Sequence, residues 1–134
     1  MGVIGGVLPA YVILSAQRNG CLRREFVFSD DDGALDFAGY SAQMQLRPSI
    51  GSDTVNLTVT SSAPTAGGSE ITFTDPVNGT LELYLSQSDL QSLPVPTTTG
   101  AAGQFVYDLV LTEPGGDATP WLYGSIIIAE GVTW

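Results

Sequence analysis

Histidine and lysine are absent from this chain, and there is a single cysteine. Each absence removes a class of chemistry. A serine or cysteine nucleophile needs a neighbouring base, and the usual ones are missing. A zinc site built from one Cys and no His is implausible. No phosphate-cradling glycine loop with its Lys is present. Cys21 has no partner for a disulfide within the chain, so no redox compartment follows from it. Its place beside Arg23 and Arg24 offers a reactive-thiol reading; the plainer reading is a small, partly buried strand residue. Bases are scarce as well. Arg18, Arg23, Arg24 and Arg47 face 14 acids, for a formal net charge of −10. Beyond Arg47 there are nine acids and no base. Nucleic-acid binding works through cations that displace phosphate counterions, so no nucleic-acid partner is expected. The net charge favours solubility.

No base precedes Arg18, so the basic region of a secretory signal is missing. The apolar stretch 1–16 is interrupted by Gly2, Gly5, Gly6 and Pro9. It is too short to span a bilayer as a helix, and no membrane partner is expected. Residues 1–10 read as an extended apolar arm. Residues 11–134 read as one β-domain, long enough to bury a single core.

What is present points to strands. In 40–47, Tyr40, Ala42, Met44 and Leu46 alternate with Ser41, Gln43, Gln45 and Arg47, which is a half-buried strand of period two. Val55, Leu57 and Val59 alternate in 54–60, Ile71 and Phe73 in 70–74, and Leu81, Leu83 and Leu85 in 80–85. The segments 104–112 and 121–129 are apolar on both faces, as central or covered strands are. With 11–16 and 22–28 this makes about eight short strands. The expected core is Tyr40, Met44, Leu46, Val55, Leu57, Leu81, Leu83, Leu85, Leu109 and Leu111. Regular spacing with turns between predicts an all-β, two-sheet sandwich of antiparallel strands, with a small barrel as the alternative. Asp30-Asp31-Asp32-Gly33 reads as a hairpin turn joining 22–28 to 40–47, with Gly33 at positive φ. Asn78-Gly79 is a second hairpin signal, 113–117 a third turn, and 86–93 one helical turn capped by Ser86 or Ser88.

The site inventory is thin. Two carboxylates suffice for a glycosidase, but nothing sets any pair of the acids across a cleft, and no enzyme activity or cofactor is expected. An EF-hand loop ending its first half at Gly33 would put its end ligands at Phe28 and Gly39, neither of which supplies one. A looser calcium site at Asp30–Asp32 stays open as an alternative. Tyr and Trp are favoured interface anchors. Val3, Ile4, Val7, Leu8, Trp121, Tyr123 and Trp134 are therefore candidate interface residues, with a core position the equal alternative for Trp121. Tyr84, Trp121 and Tyr123 would serve a carbohydrate-binding module if they formed one flat platform.

The stretch 26–48, FVFSDDDGALDFAGYSAQMQLRP, resembles the opening of short tailed-bacteriophage virion proteins, in which a strand, a D/N-G turn and a Gly-Tyr-led strand ending in Arg follow in order. Phe105-Val106-Tyr107-Asp108-Leu109, Pro114-Gly115-Gly116, Tyr123-Gly124-Ser125-Ile126 and Gly131-Val132-Thr133 resemble the ending of the same group. That group is similar to the N-terminal attachment domain of baseplate upper and tail-fibre proteins. The resemblance implies an immunoglobulin-like β-sandwich that sits in the virion after synthesis in the host bacterial cytoplasm. It implies docking to other virion proteins of tail, baseplate or capsid, as a homo-oligomer in a symmetric assembly. The chain stops at Trp134 without a fibre-like extension, so the expected role is an adaptor of the tail or baseplate; a capsid decoration protein or head-fibre base is the alternative.

Overall fold

Runs of Val, Ile, Leu, Thr and aromatic residues suit a pleated, half-buried surface, and each run named above is strand in whole or in part. The computed structural model describes residues 10–30, 33–94 and 102–129. In chain order the strands are β1 (Ala10–Tyr11), β2 (Leu14–Gln17), β3 (Leu22–Val27), β4 (Ser29–Asp30), β5 (Gly33–Ala34), β6 (Ser41–Arg47), β7 (Leu57–Thr60), β8 (Glu70–Asp75), β9 (Thr80–Leu85), β10 (Ala102–Thr112) and β11 (Ala118–Ala129), with the helix α1 (Gln87–Ser92) between the last two hairpins. They build an immunoglobulin-like two-sheet β-sandwich. The larger sheet runs β7-β6-β10-β11, with β1 and β2 both on the outer side of β11; the smaller runs β3-β9-β8. β10 and β11, the doubly apolar segments, are central in the larger sheet, as their composition requires.

Several expectations need correction. The strands are not all antiparallel: β1 and β2 lie parallel to β11, pairing Ala10 with Leu122 and Leu14 with Ile126. The expected first strand 11–16 is broken at Val12–Ile13, and Ala10, counted with the arm, is already in the sheet. The turn at Gly33 does not join 22–28 to 40–47. β3 pairs with β9 and β6 with β10 and β7, in opposite sheets. Gly33 does take a positive φ of 114°, but it closes a two-residue hairpin of its own, β4 on β5. A tight turn reverses the chain at once, and the seven residues from Gly33 to β6 then carry it across to the other sheet. Finally, Val55 is 38% exposed. The N–H of Asn56 donates to the Leu46 carbonyl and starts the β6–β7 ladder there, so Val55 is left in the loop with no sheet over it. Tyr40 and Leu57 pack at the margin of the core and are half-buried.

The remaining core expectations hold. Met44, Leu46, Leu81, Leu83, Leu85, Leu109 and Leu111 are buried, joined by Leu14, Ile71, Phe105, Leu122, Ile126 and Ile128. Each end of the sandwich is plugged. At one end α1 inserts Leu90, and its C-cap residue Leu93 follows. Arg18 donates to the Gln91 carbonyl and Gln87 to that of Asn19, which ties α1 to the β2–β3 turn. At the other end Phe37 meets Phe28, Tyr40, Phe73 and Trp121 at ring separations of 5.0–6.3 Å. Edge-to-face ring contacts of this kind add about 0.5–1.5 kcal/mol each beyond area burial.

Candidate functional site

Charge divides unevenly between the two outer faces. The smaller sheet presents Arg23, Glu25, Glu70 and Glu82 outward, opposite its buried leucines. Arg23 pairs with Glu82 at 3.0 Å and lies 4.2 Å from the Tyr84 ring. On the outer face of the larger sheet the alternation brings up Ser41, Gln43, Gln45, Gln104, Val106, Val110, Ser125 and Ile127. Among the described strand residues of that face, Arg47 and Asp108 are the charged ones. A face stripped of charge and carrying aromatics is how a surface reads when something covers it.

A groove of about 450 Å³ crosses this face. One wall is Tyr11 and Tyr123, 55% and 43% exposed, whose rings meet edge to face at 5.1 Å. The other wall is the turn after β6, from which Ile50 projects, 89% exposed. Val106 lines the floor, and Arg47 and Asp108 sit within it. The geometry has local causes. Gly124 lies beneath the crossing of the N-terminal strand, where a Cβ would overlap the Val12 carbonyl. The Val12 N–H donates to the Tyr123 carbonyl, and the Tyr107 hydroxyl donates to the Val12 carbonyl at 2.7 Å. This pins the break between β1 and β2 and sets Tyr11 beside Tyr123. Burial pushes the Tyr107 phenol up to about 12, with Arg24 pulling it down and Tyr11 pushing it up by less; it stays a donor throughout the neutral range. On the far wall, Arg47 donates to the Ser52 carbonyl at 2.6 Å and to Gln45 Oε1 at 2.9 Å. The turn is thus held, and Ile50 is held with it.

The sequence-predicted interface residues part company here. Tyr123 lies on the groove. Trp121 does not: the β10–β11 register skips it, since Leu109 pairs with Leu122 and Val110 with Pro120. As the extra residue of a bulge it is turned against Phe28 and Phe37, and bulges are a means of re-aiming a side chain. Val3, Ile4, Val7, Leu8 and Trp134 lie outside the described residues, as do Asp31 and Asp32 of the calcium alternative. Among the described residues no group of three or more His, Cys, Asp or Glu could hold a metal ion, and no helix is long and apolar enough to cross a membrane. The sugar platform does not assemble. Trp121 is packed into the core, while Tyr84 and Tyr123 lie on opposite outer faces. Cys21 is exposed just ahead of β3 and not inside a strand. Sequence reasoning passed over Tyr11, Ile50, Val106 and Asp108. Ile50 carried a signal, being a lone large apolar residue within Pro48-Ser49-Ile50-Gly51-Ser52.

No family model and no curated protein matches the chain. Among solved structures it is similar to a chain from a study of multimeric cell-adhesive interactions of VGSC beta subunits, at 10% identity and a TM-score of 0.41, covering 92% of this chain and 98% of that one. The sandwich itself rests on the strand pairings above.

Proposed function

We propose that this chain is a structural protein of a tailed-bacteriophage virion, an assembly or adaptor module of the tail or baseplate that docks through the outer face of its larger sheet. The observation that carries docking is the charge-depleted face with Tyr11, Tyr123, Val106 and Ile50 around one groove. The virion setting is supported by the resemblance in 26–48 and 105–133. The two stretches touch: a Cβ on Gly39 would come within 2.8 Å of the Pro114 ring, so the Gly-Tyr turn of one packs under the Pro-Gly-Gly turn of the other. The partners in this reading are other virion subunits in a symmetric assembly, with Val3, Ile4, Val7, Leu8 and Trp134 as further contact residues.

The test is a double substitution, Tyr11→Ser with Tyr123→Ser, in phage particles. Both rings are exposed, and surface changes outside special features cost about 0.5 kcal/mol or less. The variant is expected to melt near the parent yet fail to join particles. Normal incorporation would refute docking through this face. Electron microscopy of intact particles decides the location: density at the tail supports the adaptor role, and density on the head moves the protein to the decoration role.

A further inference from the structure

We infer that the outer face of the larger sheet is self-complementary and pairs with the same face of a second copy about a two-fold axis. This rests on the docking reading above and names its partner. A two-fold interface places each patch against itself, so a residue that contacts another is contacted by it in turn. A face can do this only if it carries both halves of every match. This one does. It holds a projecting apolar knob, Ile50, and, beside it, the groove between Ile50 and the Tyr11–Tyr123 wall. It also holds one cation and one anion. Arg47 and Asp108 line the same groove, yet no ion pair joins them within the chain; Arg47 spends its donors on Gln45 and Ser52. A two-fold axis through the groove sets Ile50 of each copy into the groove of the other. It also sets Asp108 of each copy toward Arg47 of its mate.

Two further points favour a second copy over an unrelated partner. The knob is preorganised: Arg47 anchors the Ser52 carbonyl, the Ser52 N–H donates to the Ser49 carbonyl, and Gly51 takes a φ of 81° between them. A held knob loses little freedom on docking. The charge sums to zero over the described strand residues of this face, Arg47 and Asp108 being the charged ones, whereas the chain as a whole is at −10. Two such chains repel everywhere except where the charge has been removed. The area is of the right order, since five strands about 4.8 Å apart and averaging some seven residues at about 3.3 Å each span about 550 Å², against about 800 Å² for one side of a standard interface.

The experiment is sedimentation analysis of the full chain over a wide concentration range, for the parent and three variants. The parent is expected to dimerise reversibly. Ile50→Glu should weaken the dimer by about tenfold or more, as removal of a central anchor does. Asp108→Arg should weaken it too, by facing Arg47 of the mate with a second cation. Val77→Glu, a change at another exposed apolar residue, on the turn Pro76–Asn78 away from this face, should leave the dimer intact. Ile50 and Asp108 are exposed, so unchanged melting confirms that both variants fold. A parent that stays monomeric overturns self-pairing, as does a dimer indifferent to Ile50→Glu. The docking reading fails separately: if the parent is monomeric but Ile50→Glu no longer joins particles, the face docks a different subunit; if that variant joins normally, both readings fall.

Discussion

Gly124 and Tyr107 decide where the N-terminal strand crosses the sheet. They are register partners on β11 and β10, and the glycine leaves the space into which the Val12 backbone descends. Gly124→Ala puts a methyl group where the Val12 carbonyl lies. The expected result is loss of both hydrogen bonds at Val12 and a destabilisation of about 2 kcal/mol or more, read by chemical denaturation. Tyr107→Phe is the milder probe and should cost about 0.5–1.5 kcal/mol. The phenol also gives a pH test. Its proton is held more tightly folded than unfolded, so stability is full below pH 10 and falls as pH rises from 10 toward about 12. The Tyr107→Phe variant should lack that part of the alkaline loss. An identical alkaline profile would show that the phenol is not buried as described.

At the level of elements, α1 is short and depends on its cap. The Ser86 hydroxyl accepts from the Asp89 N–H, as an N-cap should. The Asp89 carboxylate in turn accepts from the Thr65 hydroxyl, and the Ser69 hydroxyl accepts from the Ser86 N–H. Burial works against ionisation of Asp89, but hydrogen bonds from Ser69, Thr65 and Ser86 together outweigh it and hold its pKa below the usual 3.8. The sign follows: a depressed carboxyl stabilises above its unfolded pKa, and that contribution is lost as pH falls below about 4. Asp89→Ala should cost about 1–3 kcal/mol at neutral pH and flatten the acid limb of the stability profile. A full acid limb in that variant would place the effect elsewhere. Gly67 belongs to the same device, since a Cβ there would collide with the Asp89 carboxylate.

Across the whole molecule, protection should follow the layers. β10 is paired on both sides along most of its length, by β11 and β6, whereas β3 is an edge strand with exposed side chains on most positions. Hydrogen exchange in the monomeric Ile50→Glu variant is expected to be slowest in β6, β9, β10 and β11. It should be faster in β3 and β7, where the ladder is one-sided or short. Equal protection in β3 and β10 would mean that the edge of the smaller sheet is covered. In the parent at high concentration, extra protection should appear around Gln45–Arg47 and Tyr123–Ser125.

Alternation alone determined a good deal. Leu81, Leu83 and Leu85 repeat with period two, and a pleated strand has no way to bury one and expose the next. Most of the inward set and the central place of the doubly apolar 104–112 and 121–129 follow from that rule; the count does not, since eleven strands form among the described residues where about eight are expected. The helical turn at 86–93 was legible too, with Ser86 one of its two candidate caps, because capping chemistry is local. Pairing was not legible. Period two says which residues share a face, and is silent on which strand lies alongside. That is why the positive φ of Gly33 is readable from its turn while the strands that its hairpin joins are not. The parallel crossing of β1 and β2 over Gly124 and the bulge that turns Trp121 inward are decided by long-range hydrogen-bond geometry. The groove is decided the same way. Tyr11, Ile50, Asp108 and Tyr123 are separated by up to 112 positions in the chain. Only the stacking of β1, β11, β10 and β6 side by side brings them to one face.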